Sequence, residues 1–148
     1  MAEEKYLAEY EKSAAGNYLK RSRGILRNTI TVAAAKTLIE EESGSTIIVN
    51  AGAAYTITLP AKKAGLEFDF RLAVADSNIV KVLGTVGNSD VIGASMDLSG
   101  AINAISNKGF QFAASAVVGS RVTLVCDGTT WHASGVDCGT DKIAGTNS

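Results

Sequence analysis

The clearest pattern along the chain is alternation. Residues 66–75 read LEFDFRLAVA, with Leu66, Phe68, Phe70 and Leu72 at every second position and Glu67, Asp69 and Arg71 between them. A period of two belongs to a β-strand, whose successive side chains point to opposite faces. This segment therefore predicts a strand with one face buried. Shorter versions recur from residue 37 onward. Residues 46–49 and 55–59 read as strands separated by the turn Asn50-Ala51-Gly52-Ala53, and Pro60 ends the second. Asp76-Ser77-Asn78 and Gly87-Asn88-Ser89 bracket a strand over 79–86. Val91-Ile92 and residues 96–98 read as two short strands around Gly93. Residues 109–115 place Phe110 and Phe112 on one face, and residues 121–126 do the same with Val122, Leu124 and Cys126. Asp127-Gly128 is a hairpin signal leading into a strand over 130–134, with Trp131 and Ala133 pointing one way.

About seven or eight short strands with frequent turns and no strand–helix alternation predict a mainly β fold, an antiparallel β-sandwich or barrel. Its strands occupy a domain over 37–135, and 136–148 read as a polar C-terminal tail. No internal repeat of fixed period stands out.

Residues 1–36 have a different pattern, which predicts an N-terminal helical or extended arm. Residues 2–15 are rich in Glu, Lys, Ala and Leu and hold no Gly or Pro, so they predict a helix. Tyr6, Leu7, Tyr10 and Ala14 form a narrow apolar stripe along it, and Gly16-Asn17 is a suitable stop. A basic segment over 18–27 follows. It threads Lys20, Arg21, Arg23 and Arg27 through Tyr18, Leu19, Ile25 and Leu26 without one acid. The stripe is too small to form a core alone and needs another surface, on this domain or on a neighbouring subunit.

Charge sharpens this division. Residues 1–36 carry seven basic and four acidic residues, and the remainder seven basic and eleven acidic, so the two parts suit different surroundings. The total is −1, which argues against nucleic acid as the main partner and favours an acidic protein surface as the target of the basic run. The opening MAEEKYLAEYEK is acidic where a secretory leader has a basic and then an apolar run, which predicts synthesis in a cytoplasm. No apolar run approaches the roughly 20 residues that cross a bilayer, so no membrane partner is expected.

The search for chemistry finds little. His132, the single histidine, shares its strand face with Ser134 and reads as a surface residue. Asp127 and Ser134 lie near it in sequence, but a triad is a matter of geometry, not proximity along a hairpin. Cys126 and Cys138 are too few for a disulfide framework; Cys126 reads as a small core residue, and a bridge between the two stays open. Cys126, His132 and Cys138 lack zinc-ligand spacing, and Asp137 and Asp141 lack the carboxylate density of a calcium loop. Residues 84–89 hold two glycines without a phosphate-binding lysine. Glu67 with Asp69, and the run Glu40-Glu41-Glu42, read as solvated faces. No cofactor, metal site or catalytic residue is expected, and the chain reads as non-enzymatic.

Residues 37–135 resemble a β-domain of tailed-bacteriophage virion proteins, above all the capsid decoration (cement) proteins of marine phages. The resemblance rests on Ser43-Gly44, the strand-turn-strand into Ile57-Thr58-Leu59-Pro60, Ala64-Gly65-Leu66-Glu67-Phe68, and Asp127-Gly128-Thr129-Thr130-Trp131. It covers about two thirds of the chain, and related modules occur in tail fibres and other virion appendages. It implies a homotrimer on the outer surface of an icosahedral capsid, with the arm reaching over major capsid protein subunits. Tyr6, Leu7, Tyr10, Tyr18, Lys20, Arg21, Arg23 and Arg27 are then the capsid-binding residues. The competing expectation is a tail-fibre, spike or head-fibre module that binds a host-surface receptor. Such a chain is usually longer and carries repeats or a coiled-coil stalk.

Overall fold

A computed structural model describes residues 27–85, 90–140 and 142–147. The predicted helix over 2–15 and most of the basic segment lie outside these residues. The described chain is mainly β, as the alternation predicts. Its twelve strands form a seven-stranded and a five-stranded sheet that share one hydrophobic core.

The first six strands alternate between the sheets. β1 (Thr29–Val32), β3 (Thr46–Asn50) and β5 (Glu67–Val74) lie side by side and parallel in the larger sheet. β2 (Lys36–Thr37), β4 (Tyr55–Thr58) and β6 (Val80–Leu83) do the same in the smaller one. The chain thus winds as a two-layered coil. Equivalent inward residues stack across it: Ile30 beside Ile47 beside Phe70, Val32 beside Val49 beside Leu72, and Ile57 beside Val82.

The second half completes both sheets largely by antiparallel pairing. β10 (Arg121–Cys126) lies between β5 and β11 (Trp131–Val136), antiparallel to each. β7 (Val91–Met96) runs parallel to β11, and β8 (Ile102–Asn107) forms the far edge. In the smaller sheet β9 (Gly109–Phe112) joins β6 to the edge strand β12 (Ile143–Thr146). The sheets are therefore mixed, because winding places successive strands of one sheet in the same direction.

The core fills the space between the layers. Phe68, Phe70, Phe110, Phe112 and Trp131 are essentially buried, and each such side chain contributes roughly 2–3 kcal/mol through the area it removes from water. Their rings form a chain from one sheet to the other. Trp131 meets Phe68 at 5.9 Å, and Phe70 crosses the layers to meet Phe110 edge-on at 5.5 Å. At one side of the sandwich the Tyr55 hydroxyl sits 2.7 Å from the Val32 carbonyl and 2.8 Å from that of Asn50, tying β4 to the ends of β1 and β3. At the other side the chain passes from β8 to β9 through Lys108. A Cβ on Gly109 would fall 1.9 Å from the Val82 carbonyl oxygen, so only glycine permits that crossing.

Both boundaries of the predicted domain move outward. β1 lies within the stretch assigned to the arm, so the β-structure already includes Thr29–Val32 rather than beginning at 37. Its TITV sequence alternates, and Ile30 and Val32 have inward neighbours in β3. The stretch 136–148 is not simply a tail, because β11 runs through Val136 and Ile143 of β12 is fully buried. Buried Asp137 holds that return. It accepts from the backbone N–H groups of Gly139 at 2.9 Å, Lys142 at 2.5 Å and Ile143 at 3.1 Å, and from the Ser120 hydroxyl at 3.4 Å.

Candidate functional site

The outward face of the larger sheet carries most of the polar side chains that its alternation pushes away from the core. Along β5 these are Glu67, Asp69 and Arg71. Register sets Asp69 directly opposite Thr123, and Arg71 directly opposite Arg121, on β10. Ser134 and Val136 continue the face on β11. Arg27 reaches it from the segment preceding β1. Together they line an open groove of about 560 Å³.

Three guanidiniums and two carboxylates make up the charge of this groove. Arg27 pairs with Glu67 at 3.3 Å, both well exposed. Asp69 is more constrained. Its carboxylate is nearly buried and accepts from Arg71 Nε at 2.8 Å and from Thr123 Oγ1 at 3.2 Å. The expectation of a solvated Asp69 is therefore corrected: it sits mid-sheet between Thr46 and Thr123, where its oxygens find donors. Arg121 is exposed, and its guanidinium makes no hydrogen bond or ion pair with any described residue. Its nearest cross-strand neighbour is another arginine.

The groove borders an apolar flank. Val136 pairs with Met96, and Met96 with Ile102. Met96, Leu98 and Ile102 are 51%, 75% and 74% exposed, and Ile92 joins them on the outward side of β7. Charged groups and exposed aliphatic residues thus lie side by side on this face.

No protein-family model matches this chain, and neither does any curated protein or solved structure.

The remaining candidates fall into place as structural groups. His132 Nε2 lies 2.8 Å from Asp127 Oδ2 at the β10–β11 hairpin, and both side chains are about half exposed. His132 shares an outward face with Ser134, but no hydrogen bond joins them among the described residues. Asp127 also accepts from the N–H groups of Thr129 and Thr130, both at 2.7 Å, so it serves the turn. His132 foremost, and then these donors, hold its carboxyl well below the usual carboxylate range. Cys126 is buried in the core and Cys138 is half-buried; both are free thiols. Among the described residues no three His, Cys, Asp or Glu side chains converge as a metal site would require. Glu42 is not simply solvated: it accepts from the Ile39 N–H at 3.0 Å and pairs with Lys36 at 2.8 Å, while Glu40 pairs with Lys63.

Of the residues predicted to bind a partner, Tyr6, Leu7, Tyr10, Tyr18, Lys20, Arg21 and Arg23 lie outside the described residues. Arg27 is described, and it lies in the groove wall. Sequence reasoning missed Arg71 and Arg121 as a pair, and it missed the apolar flank. Alternation places each arginine outward on its own strand. Only the β5–β10 register brings the two together.

Proposed function

We propose that this chain is a non-enzymatic virion structural protein that decorates and stabilises the outer surface of a phage capsid. It binds major capsid protein subunits through its N-terminal arm and acts as a homotrimer, with neither nucleic acid nor membrane as a direct partner. The observation that carries this reading is the position of Arg27. It ends the basic segment over 18–27, and it lines a groove on the exposed sheet face. A contact made through the basic segment and one made through that face would then address one neighbouring surface. The resemblance of residues 37–135 to decoration-protein β-domains points the same way.

The physical logic is one of linked contacts. A second contact on the same chain forms at high effective concentration, so two weak attachments give strong avidity. Any ligand that favours the closed shell stabilises that shell by mass action.

The test uses the full chain and empty expanded capsids of the phage that encodes it. The native protein should bind saturably at a fixed copy ratio. Replacing Lys20, Arg21 and Arg23 together with Glu should weaken binding by a factor of roughly 10–100, since each lost charge contact at a rim contributes about 0.5–1 kcal/mol. Unchanged capsid affinity in that variant contradicts the arm's role. Adsorption to host cells without capsid binding would support a tail-fibre, spike or head-fibre receptor module instead.

A further inference from the structure

We infer that Arg71 and Arg121 form a carboxylate clamp: a binding site on the outward face of β5 and β10 for acidic side chains of a neighbouring protein segment. This deepens the capsid reading, on which the identity of the neighbour rests, by naming the chemistry that the surface selects.

Three observations support the clamp. First, the antiparallel register sets the two arginines directly opposite each other. Like charges in that position destabilise a sheet, where a threonine or an acid opposite Arg71 would not. Second, the groove compensates the repulsion only in part. Asp69 engages Arg71 through Nε at 2.8 Å, which leaves the two terminal nitrogens of that guanidinium for other partners, and the Arg121 guanidinium has no partner among the described residues. Third, Arg71 is held in place. The nearly buried Asp69 is itself fixed by the Thr123 hydroxyl, so the guanidinium is oriented before a ligand arrives. A planar fork that is already positioned matches the two oxygens of a carboxylate and loses little freedom on binding it.

The surroundings select a polypeptide. Val136 at the groove wall continues into the aliphatic flank of Met96 and Ile102. An acidic segment with an apolar residue nearby would satisfy both parts at once. A free inorganic anion or a polynucleotide would use only the arginines and leave the aliphatic flank unmatched.

The clamp predicts opposite movements of stability and affinity. Arg121→Thr removes the like-charge neighbour and restores a good strand residue. The thermal midpoint of the unliganded protein should therefore rise or hold, while affinity falls. The probe is an end-blocked hexaglutamate peptide carrying one leucine, titrated into the full-length protein by fluorescence anisotropy. Hexaglutamine with the same leucine and a short single-stranded oligonucleotide serve as comparisons. The native protein should prefer the glutamate peptide to both. Arg121→Thr should lose about tenfold in affinity, or about 1.4 kcal/mol, and Arg121→Lys should recover only part of it, since an ammonium keeps the charge without the fork. Lys81→Ala, on the other sheet, should change nothing. Equal peptide affinity in the native and Arg121→Thr proteins, or tighter binding of the oligonucleotide than of the peptide, overturns the clamp. Native protein that takes the peptide through Arg121 yet ignores capsids upholds the clamp and overturns the capsid reading alone.

Discussion

Trp131 shows most directly how one side chain serves the fold. It is fully buried, its ring meets Phe68 at 5.9 Å, and its indole N–H has no hydrogen-bond partner among the described residues. Apolar contact therefore supplies its contribution, and the N–H detracts from it. Trp131→Ala should cost roughly 3–5 kcal/mol through lost burial and the cavity left behind. Trp131→Phe should cost only about 1 kcal/mol, because it keeps a ring and removes an unsatisfied donor. Urea unfolding measures both, and a near-neutral Trp131→Ala contradicts the packing. That Trp131 and Ala133 share a face was legible in the sequence from their alternation behind a hairpin signal; that this face is the buried one comes from the fold. The environment of Asp69 was not. On its own strand it looks like any outward acid, and its burial comes from Thr46 and Thr123 on strands distant in sequence.

At the scale of elements, local signals predicted the strands that carry strong alternation. β3, β4, β5, β10 and β11 lie where alternating apolar residues and turn chemistry put them. β8 and β12 escaped notice because INAISN and IAGT each offer a weak pattern, and their place depends on sheet edges formed by distant segments. β1 was hidden within a stretch dominated by its basic charges. Val91 to Met96 forms one strand rather than two short ones, with Gly93 carried in the middle of the ladder. The β10–β11 hairpin was read correctly, and its turn makes a pH prediction. Asp127 is held below the ordinary carboxylate range by His132 and by the Thr129 and Thr130 N–H groups. A depressed folded-state value means that the carboxylate's contribution is present above the unfolded value and is lost as pH falls through the folded one. Native protein should therefore exceed Asp127→Asn in thermal midpoint at neutral pH, with the gap closing on acidification below the ordinary carboxylate range. A gap independent of pH contradicts the assignment.

Over the whole molecule, the winding of the first six strands explains why the two faces of the larger sheet differ so sharply. Each pass through the smaller sheet returns the chain beside its previous strand, so inward residues stack into one core and outward residues gather into one charged face. Among the described residues, β1 leads into β2 at one side, and β8 leads into β9 at the other. The layers are thus joined at both sides, and three of the four edge strands, β1, β2 and β12, are four residues or shorter, which limits indiscriminate pairing. What stays open to a partner is the face of β5, β10 and β11 with its aliphatic flank, and Arg27, where the described residues begin, lies beside it. In the proposed function this face and the arm together grip a capsid. Imaging the virion at subunit resolution tests it most directly. Copies of this fold are expected in threes on the outside of the head, with Arg71 and Arg121 turned toward acidic residues of the shell. Finding the fold only on a tail or fibre, or on the head with that face turned to solvent, would contradict it.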